Sequence, residues 1–226
     1  MGFDKMKHDI SKLIGLKYIP TLGSDDLDNR DKIKSPERTK YTQIIKHAFS
    51  KNNSKHLRKA LNRKSHRVIL EIGVNNSRSY SYSSTANFMD YVKNNENCVY
   101  IGVDINQDNL DEVKDSNKKL HESKKIFFLN TSSSNYDDVT NFIKSVTGEA
   151  QIDFLMIDGW HSVNQVLLEW KYVNILKKQG TIFLHDTNNH PGPKELIKAL
   201  DENVFEIRQP FAGRYDDWGS ADITFK

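Results

Sequence analysis

Five short apolar runs alternate with amphipathic stretches along most of this 226-residue chain. The runs lie at 68–74, 98–104, 125–130, 152–157 and 180–185, rich in Val, Ile, Leu and Phe and bounded by polar turn-formers. That is the pattern of strands buried on both faces. Between and after them, apolar positions at helical spacing predict helices over about 80–94, 107–119, 135–146, 161–177 and 192–202. Strict alternation of this kind predicts an α/β fold with a doubly wound, mostly parallel sheet. The end breaks the rhythm: 204–210 and 221–225 flank a glycine-containing turn and read as a hairpin appended to the sheet, its last strand antiparallel. That makes six or seven strands. Upstream, Ser35-Pro36-Glu37 has the cap and first-turn proline of a helix running to about Ser50, after an acidic, turn-rich loop at 21–32. The expected organisation is a helical extension over 1–65 and an α/β domain over 66–226.

Composition narrows the function classes. No apolar stretch approaches the ~20 residues that cross a bilayer, and the first nine residues, MGFDKMKHD, lack the apolar core of a signal peptide. Met6 also breaks the myristoylation pattern. A soluble protein without a membrane partner is expected, cytoplasmic by default. Cys98 is the single cysteine, which excludes an internal disulfide or a cysteine-built zinc site. The net charge is only +3, yet 41–67 carries eight Lys or Arg, three His and no acid. Such a run either faces phosphate or is the solvated face of a helix with its connecting loop. Ile44, Ile45, Ala48 and Phe49 at helical spacing give its first half a packing side.

The residues that could carry chemistry gather at the carboxyl ends of the predicted strands, where open α/β sheets bind ligands. Glu71 and Gly73 end the first strand, and Gly73 permits a tight turn and close backbone approach. Asn75, Ser77 and Ser79 follow in a loop that tolerates left-handed backbone and offers hydrogen bonds. Asp104 and Ile105 end the second strand, where the carboxylate can accept both hydroxyls of a ribose; Thr131 and Ser132 follow the third. Asp158, Gly159, Trp160 and His161 follow the fourth, and His185, Asp186 and Thr187 end the fifth. No Gly-x-Ser-x-Gly elbow, P-loop or G-x-G-x-x-G fingerprint is present.

Glu71-x-Gly73, Asp104, the IDG-x-H-S sequence from Ile157 to Ser162 and His185-Asp186-Thr187 together resemble the class I S-adenosylmethionine (SAM)-dependent methyltransferases. The likeness is to a subfamily acting on small molecules and sugars, and it covers 66–226. It implies a Rossmann-like seven-stranded sheet and a SAM site formed by Glu71, Gly73, Asn75, Ser77, Ser79, Asp104, Ile105, Thr131, Ser132 and Asp158. The acceptor would be a small-molecule or saccharide hydroxyl. In metal-dependent relatives, carboxylates at the last two of these strand ends hold Mg²⁺, which implies Asp158 and Asp186, with Thr187 or His185 as third neighbour. Trp160 stands where relatives often place another acid. Asp186 could equally cap the turn that follows it.

His161, a residue type whose ordinary pKa lies near 6.5, is the candidate general base beside Asp158, or else a helix-start histidine bonded to backbone. Two other readings remain. Lys64, Asp158, Lys194 and Glu206 occur in the Lys-Asp-Lys-Glu order of RNA ribose 2′-O-methyltransferases. A non-catalytic binder could also keep the fold. Oligomeric state is left open by these residues, a homo-oligomer included.

Overall fold

The computed structural model describes residues 13–20, 50–74, 83–214 and 217–226. Five parallel strands form from the five apolar runs: β1 (Val68–Ile72), β2 (Val99–Asp104), β3 (Ile126–Asn130), β4 (Ile152–Ile157) and β5 (Leu176–His185). Two more, β6 (Phe205–Arg208) and β7 (Ser220–Phe225), pair antiparallel, and β7 inserts between β5 and β6. The sheet order is β3-β2-β1-β4-β5-β7-β6. Because the order reverses direction between β1 and β4, the connections after these two strands diverge. A crevice opens between them at the carboxyl edge.

Helices cover both faces, and the side-chain period of two explains why. Leu70, Ile72, Leu155 and Ile157 point to one side, where they pack with Val139 and Ile143 of α5 (Tyr136–Thr147), Val166 and Trp170 of α6 (Val163–Trp170) and Leu196 of α7 (Pro191–Ala199). Ile69, Phe154 and Met156 point to the other. There they meet Leu57 and Leu61 of α1 (Lys51–Leu61), Phe88 and Val92 of α2 (Ser84–Asn94) and Leu110 and Val113 of α3 (Gln107–Ser116). A short α4 (Lys118–Glu122) follows α3. Central strands buried on both faces lose the polar alternation of an exposed sheet.

Several boundaries differ from the sequence reading. The helix expected over 107–119 breaks at Asn117, whose φ of −123° and ψ of 36° are not helical. The helix expected to 177 ends at Trp170 and continues as a 3₁₀ turn over Lys171–Ile175. Strand β5 then begins at Leu176, which pairs with Ile152 before the register shifts so that Phe154 meets Thr181. The irregular stretch between holds two lysines and Gly180, residues that weaken a strand pattern. The helix expected over 36–50 lies outside the described residues but for Ser50.

From Lys51 to Leu61 the basic run is a helix, which is the second of its two readings. Ser50 caps α1 by accepting from Asn53 N at 3.1 Å. Lys51, Lys55, Arg58 and Lys59 face solvent, while Asn53, Ser54, His56, Leu57, Ala60 and Leu61 are buried. This half of the run is thus the solvated face of a packed helix.

Candidate active site

Gly73 and Asp158 meet where β1 and β4 diverge. Gly73 has φ +81°, and a Cβ there would stand 2.1 Å from the Asp158 carbonyl oxygen. Only glycine lets the two strand ends come this close. The register is locked by Gly73 N donating to Val103 O (3.0 Å) and Asp158 N donating to Ile72 O (3.0 Å). Above this junction opens a cavity of about 490 Å³, lined by Gly73, Asp104, Thr131, Ser132, Asp158 and His161 among others. That is the size of a small-ligand pocket. Asp104 Oδ1 accepts from Asn106 N at 2.7 Å, which fixes the carboxylate at the β2 end.

At one end of the cavity, two carboxylates and three imidazoles converge. His161 Nε2 lies 2.8 Å from Asp186 Oδ2 and 3.3 Å from Asp158 Oδ1. His185 Nδ1 bonds to Asp158 Oδ1 at 3.1 Å and stands 3.0 Å from Asp186 Oδ1. His190 Nε2 lies 3.6 Å from Asp186 Oδ2, and its ring is sandwiched between those of His161 (4.4 Å) and Trp218 (5.2 Å). Asp186 has a left-handed φ of 62°, which Asp tolerates better than most residues. Its N–H donates to Gly219 O at 2.9 Å, so β7 holds the strained residue in place. Its carboxylate is turned to the imidazoles, and the turn's N–H groups of Asn189 and His190 go to its carbonyl oxygen instead. Oδ1 of Asp186 is buried with no donor in hydrogen-bond geometry.

The charges tune one another. Burial lowers the His161 pKa, but Asp186 and Asp158 more than offset this and raise it to about 10. Burial pushes Asp186 up, while His185 and His161 pull it down further, to about 2. Burial likewise lowers His185, and Asp186 and Asp158 leave it raised overall. At neutral pH His161 is therefore an imidazolium between two carboxylates.

The sequence pattern of the Methyltransferase domain family matches residues 70–187, just over half of the chain, and spans every strand end that lines the cavity. The chain belongs to that family. No protein of curated function matches the methyltransferase in sequence. Among solved structures it is similar to an O-methyltransferase from Bacillus cereus in complex with SAH (16% identity, TM-score 0.55, 88% of this chain and 95% of that one). It is also similar to the O-methyltransferase TomG from Streptomyces achromogenes, involved in tomaymycin synthesis and solved with SAM (11% identity, TM-score 0.56, 85% and 91%). These likenesses establish the fold, a Rossmann-like sheet with its last strand antiparallel.

Of the methyltransferase residues expected at the site, Gly73, Asp104, Ile105, Thr131, Ser132, Asp158, His161 and Asp186 line one cavity. Asn75, Ser77 and Ser79 lie outside the described residues. Glu71 is placed differently from its expected cofactor role. It is fully buried beneath the cavity, accepting from Ser84 Oγ (2.5 Å), Thr85 Oγ1 (2.9 Å) and Tyr100 OH (2.5 Å). Burial pushes its carboxyl up to about 8 against those three donors. It fastens the start of α2 to the sheet. Thr187 also departs from its expected place, as its buried hydroxyl meets no hydrogen-bond partner and does not line the cavity.

The Lys-Asp-Lys-Glu order is not assembled in space. Of its members only Asp158 lines the cavity; Lys64 donates to Gln179 O, and Glu206 pairs with Arg208. Sequence reasoning missed Ser133 and Gln165, which also line the pocket. Ser133 Oγ donates to buried Glu169 at 2.7 Å and accepts from Gln165 Nε2 at 2.8 Å. Gln165 sits three residues after the α6 cap Ser162, a first-turn position facing back over the strand ends. That spacing was the available signal.

Proposed function

We propose that this methyltransferase transfers the methyl group of SAM to a hydroxyl of a small-molecule or saccharide acceptor. The observation that carries the reading is the single cavity joining Gly73, Asp104 and Thr131-Ser132, a nucleoside-type edge, to the Asp158-His161-Asp186 cluster, an acid-base edge. In such a transfer the acceptor oxygen attacks the methyl carbon in line with the sulfonium. The C–S bond breaks with its electrons going to sulfur, giving S-adenosylhomocysteine (SAH), and the hydroxyl proton leaves. Alignment and proton removal are what a protein can add. Since His161 is protonated at neutral pH, its role is to donate to the acceptor oxygen, and proton acceptance falls to Asp158, which it already contacts.

Mg²⁺ suits the two carboxylates. Asp186 Oδ1 is buried without a donor, and the ion is commonly held by one or two carboxylates while keeping several waters. Asp158 and Asp186 would hold it in place of the His161 imidazolium, and once bound it would supply the positive charge that orients and acidifies the acceptor hydroxyl, leaving His161 rather than Asp158 to take the proton.

Calorimetry with SAH tests the reading. The unaltered chain is expected to bind, and Asp104→Ala to lose about 1.5–3 kcal/mol, the worth of a hydrogen bond to a charged group. Asp104→Asn keeps an acceptor for Asn106 N and so separates loss of the ribose contact from loss of the turn. No binding by the unaltered chain overturns the proposal.

A further inference from the structure

A continuous buried hydrogen-bond chain runs from the acid-base cluster to α1, a helix N-terminal to the family match. His185 Nε2 is 3.1 Å from Asn53 Nδ2, and Asn53 Oδ1 accepts from Ser220 Oγ at 2.9 Å. Ser220 Oγ lies 2.8 Å from His56 Nδ1, and His56 Nε2 lies 2.7 Å from Asp222 Oδ2. Asp222 also receives Arg63 and Arg208. Asn53, His56, His185, Ser220 and Asp222 are at most 5% exposed, so no member has bulk water as an alternative partner.

The chain has a polarity, set by the Asn53 amide, whose Oδ1 can only accept and whose Nδ2 can only donate. A carboxylate held by two guanidinium groups only accepts, so His56 Nε2 carries a proton. Ser220 Oγ gives its one hydrogen to Asn53 Oδ1, and His56 Nδ1 stands 2.8 Å from the serine oxygen on its other side. The amide Nδ2 then has one lone pair left to meet, that of His185 Nε2. A ring whose Nε2 accepts carries its proton on Nδ1, the atom that faces Asp158. One N–H cannot serve two carboxylates, which is why Asp158 is bonded and Asp186 Oδ1 is left without a donor.

We infer that Asn53 is a positioning residue of the active centre: it sets the tautomer and ring orientation of His185, so that His185 holds Asp158 through Nδ1–H and leaves one Asp186 oxygen without a donor. His185 is thereby an organiser of the two carboxylates rather than a third metal ligand. Helix α1 completes the site although none of its residues lines the cavity. The role assigned to Asp158 and Asp186 rests on the methyl-transfer reading; the tautomer does not.

Nitrogen-15 NMR of the histidine side chains tests this on the protein without ligands, independently of any methyl transfer. The expected spectrum has His185 with an unprotonated, accepting Nε2 and a protonated Nδ1. Asn53→Leu should release the ring into a mixture of tautomers. Asn53→Asp, which offers only acceptors, should put protons on both nitrogens. Ser220→Ala removes one atom and frees the amide to turn, and it should show the same loss of a single tautomer if Asn53→Leu does not fold. A protonated Nε2 in the unaltered chain, or His185 resonances indifferent to both Asn53→Leu and Ser220→Ala, overturns the inference.

Discussion

Single residues in this protein act through what their surroundings let them do. His66 is 2% exposed and packs edge-on against Phe154 (5.1 Å, 82°); the Asp153 and Ala60 backbone lies near its ring nitrogens, but neither nitrogen reaches full hydrogen-bond geometry. Burial, with Lys64 adding to it, lowers its pKa from 6.5 to about 4. A depressed histidine is neutral when folded and protonates more readily when unfolded. Its contribution to stability is therefore complete above about pH 6.5 and lost as pH falls through about 4. His66→Phe should raise stability by about 1 kcal/mol at neutral pH, by removing buried unpaired nitrogens. It should also flatten the acid side of the stability profile between those two values. Urea midpoints at a series of pH values check both effects, and an unchanged acid slope would assign the loss to other groups. Glu71 teaches the converse lesson. The acid of its acid-x-Gly pattern was legible in the sequence, but its three hydroxyl partners lie 13 to 29 residues away. Nothing local in the sequence says whether such a carboxylate faces a ligand or the interior.

At the scale of elements, α1 and β7 carry the main surprise. The sequence around α1 reads as a basic surface, yet its inner face brings His56 to Asp222 on β7, 166 positions away. Asp222 is fully buried; burial pushes its carboxyl up, and His56, Arg63 and Arg208 hold it far below the usual carboxylate range. Its stabilising contribution is present above about pH 4 and lost below that as it protonates. Asp222→Ala should cost about 1.5–3 kcal/mol, the worth of hydrogen bonds to a charged group, since Arg63 and Arg208 are partly exposed and can turn to water while buried His56 loses its partner. The shift in denaturation midpoint measures this, and a loss below about 1 kcal/mol would mean that water replaces the carboxylate. Strand β7 also carries Ser220 and, through the Gly219 carbonyl, anchors Asp186. One antiparallel strand so serves both the fold's edge and the site.

For the whole molecule, charge and shape pull in one direction. The basic side chains of α1 face solvent on the sheet face that packs α1, α2 and α3, and none lines the cavity. Affinity for RNA, if driven by these lysines and arginines, should fall with a log-log slope of about −0.7 to −0.9 per phosphate contacted. With a net charge of only +3, retention on RNA is expected to vanish near physiological salt. Filter binding across a salt series checks this. A tight, salt-resistant complex would favour a nucleic-acid acceptor over a small one. Among the described residues, no helix is long and apolar enough to cross a membrane.

The sequence by itself determined the strand-helix alternation, the doubly wound sheet and the strand ends where Gly73, Asp104, Asp158 and Asp186 would meet. Those follow from local periodicity and from the rule that parallel strands point their carboxyl ends one way. It left undecided which acids face the cavity and which carry the fold, because Glu71 and Asp158 end neighbouring strands in similar local contexts. Only tertiary structure decided that three hydroxyls would take up Glu71, that β7 would hold Asp186 in a left-handed turn, and that Asn53 would reach His185 across 132 positions. Burial and hydrogen-bond satisfaction are set by whatever packs alongside, and the packing partners here come from the far ends of the chain.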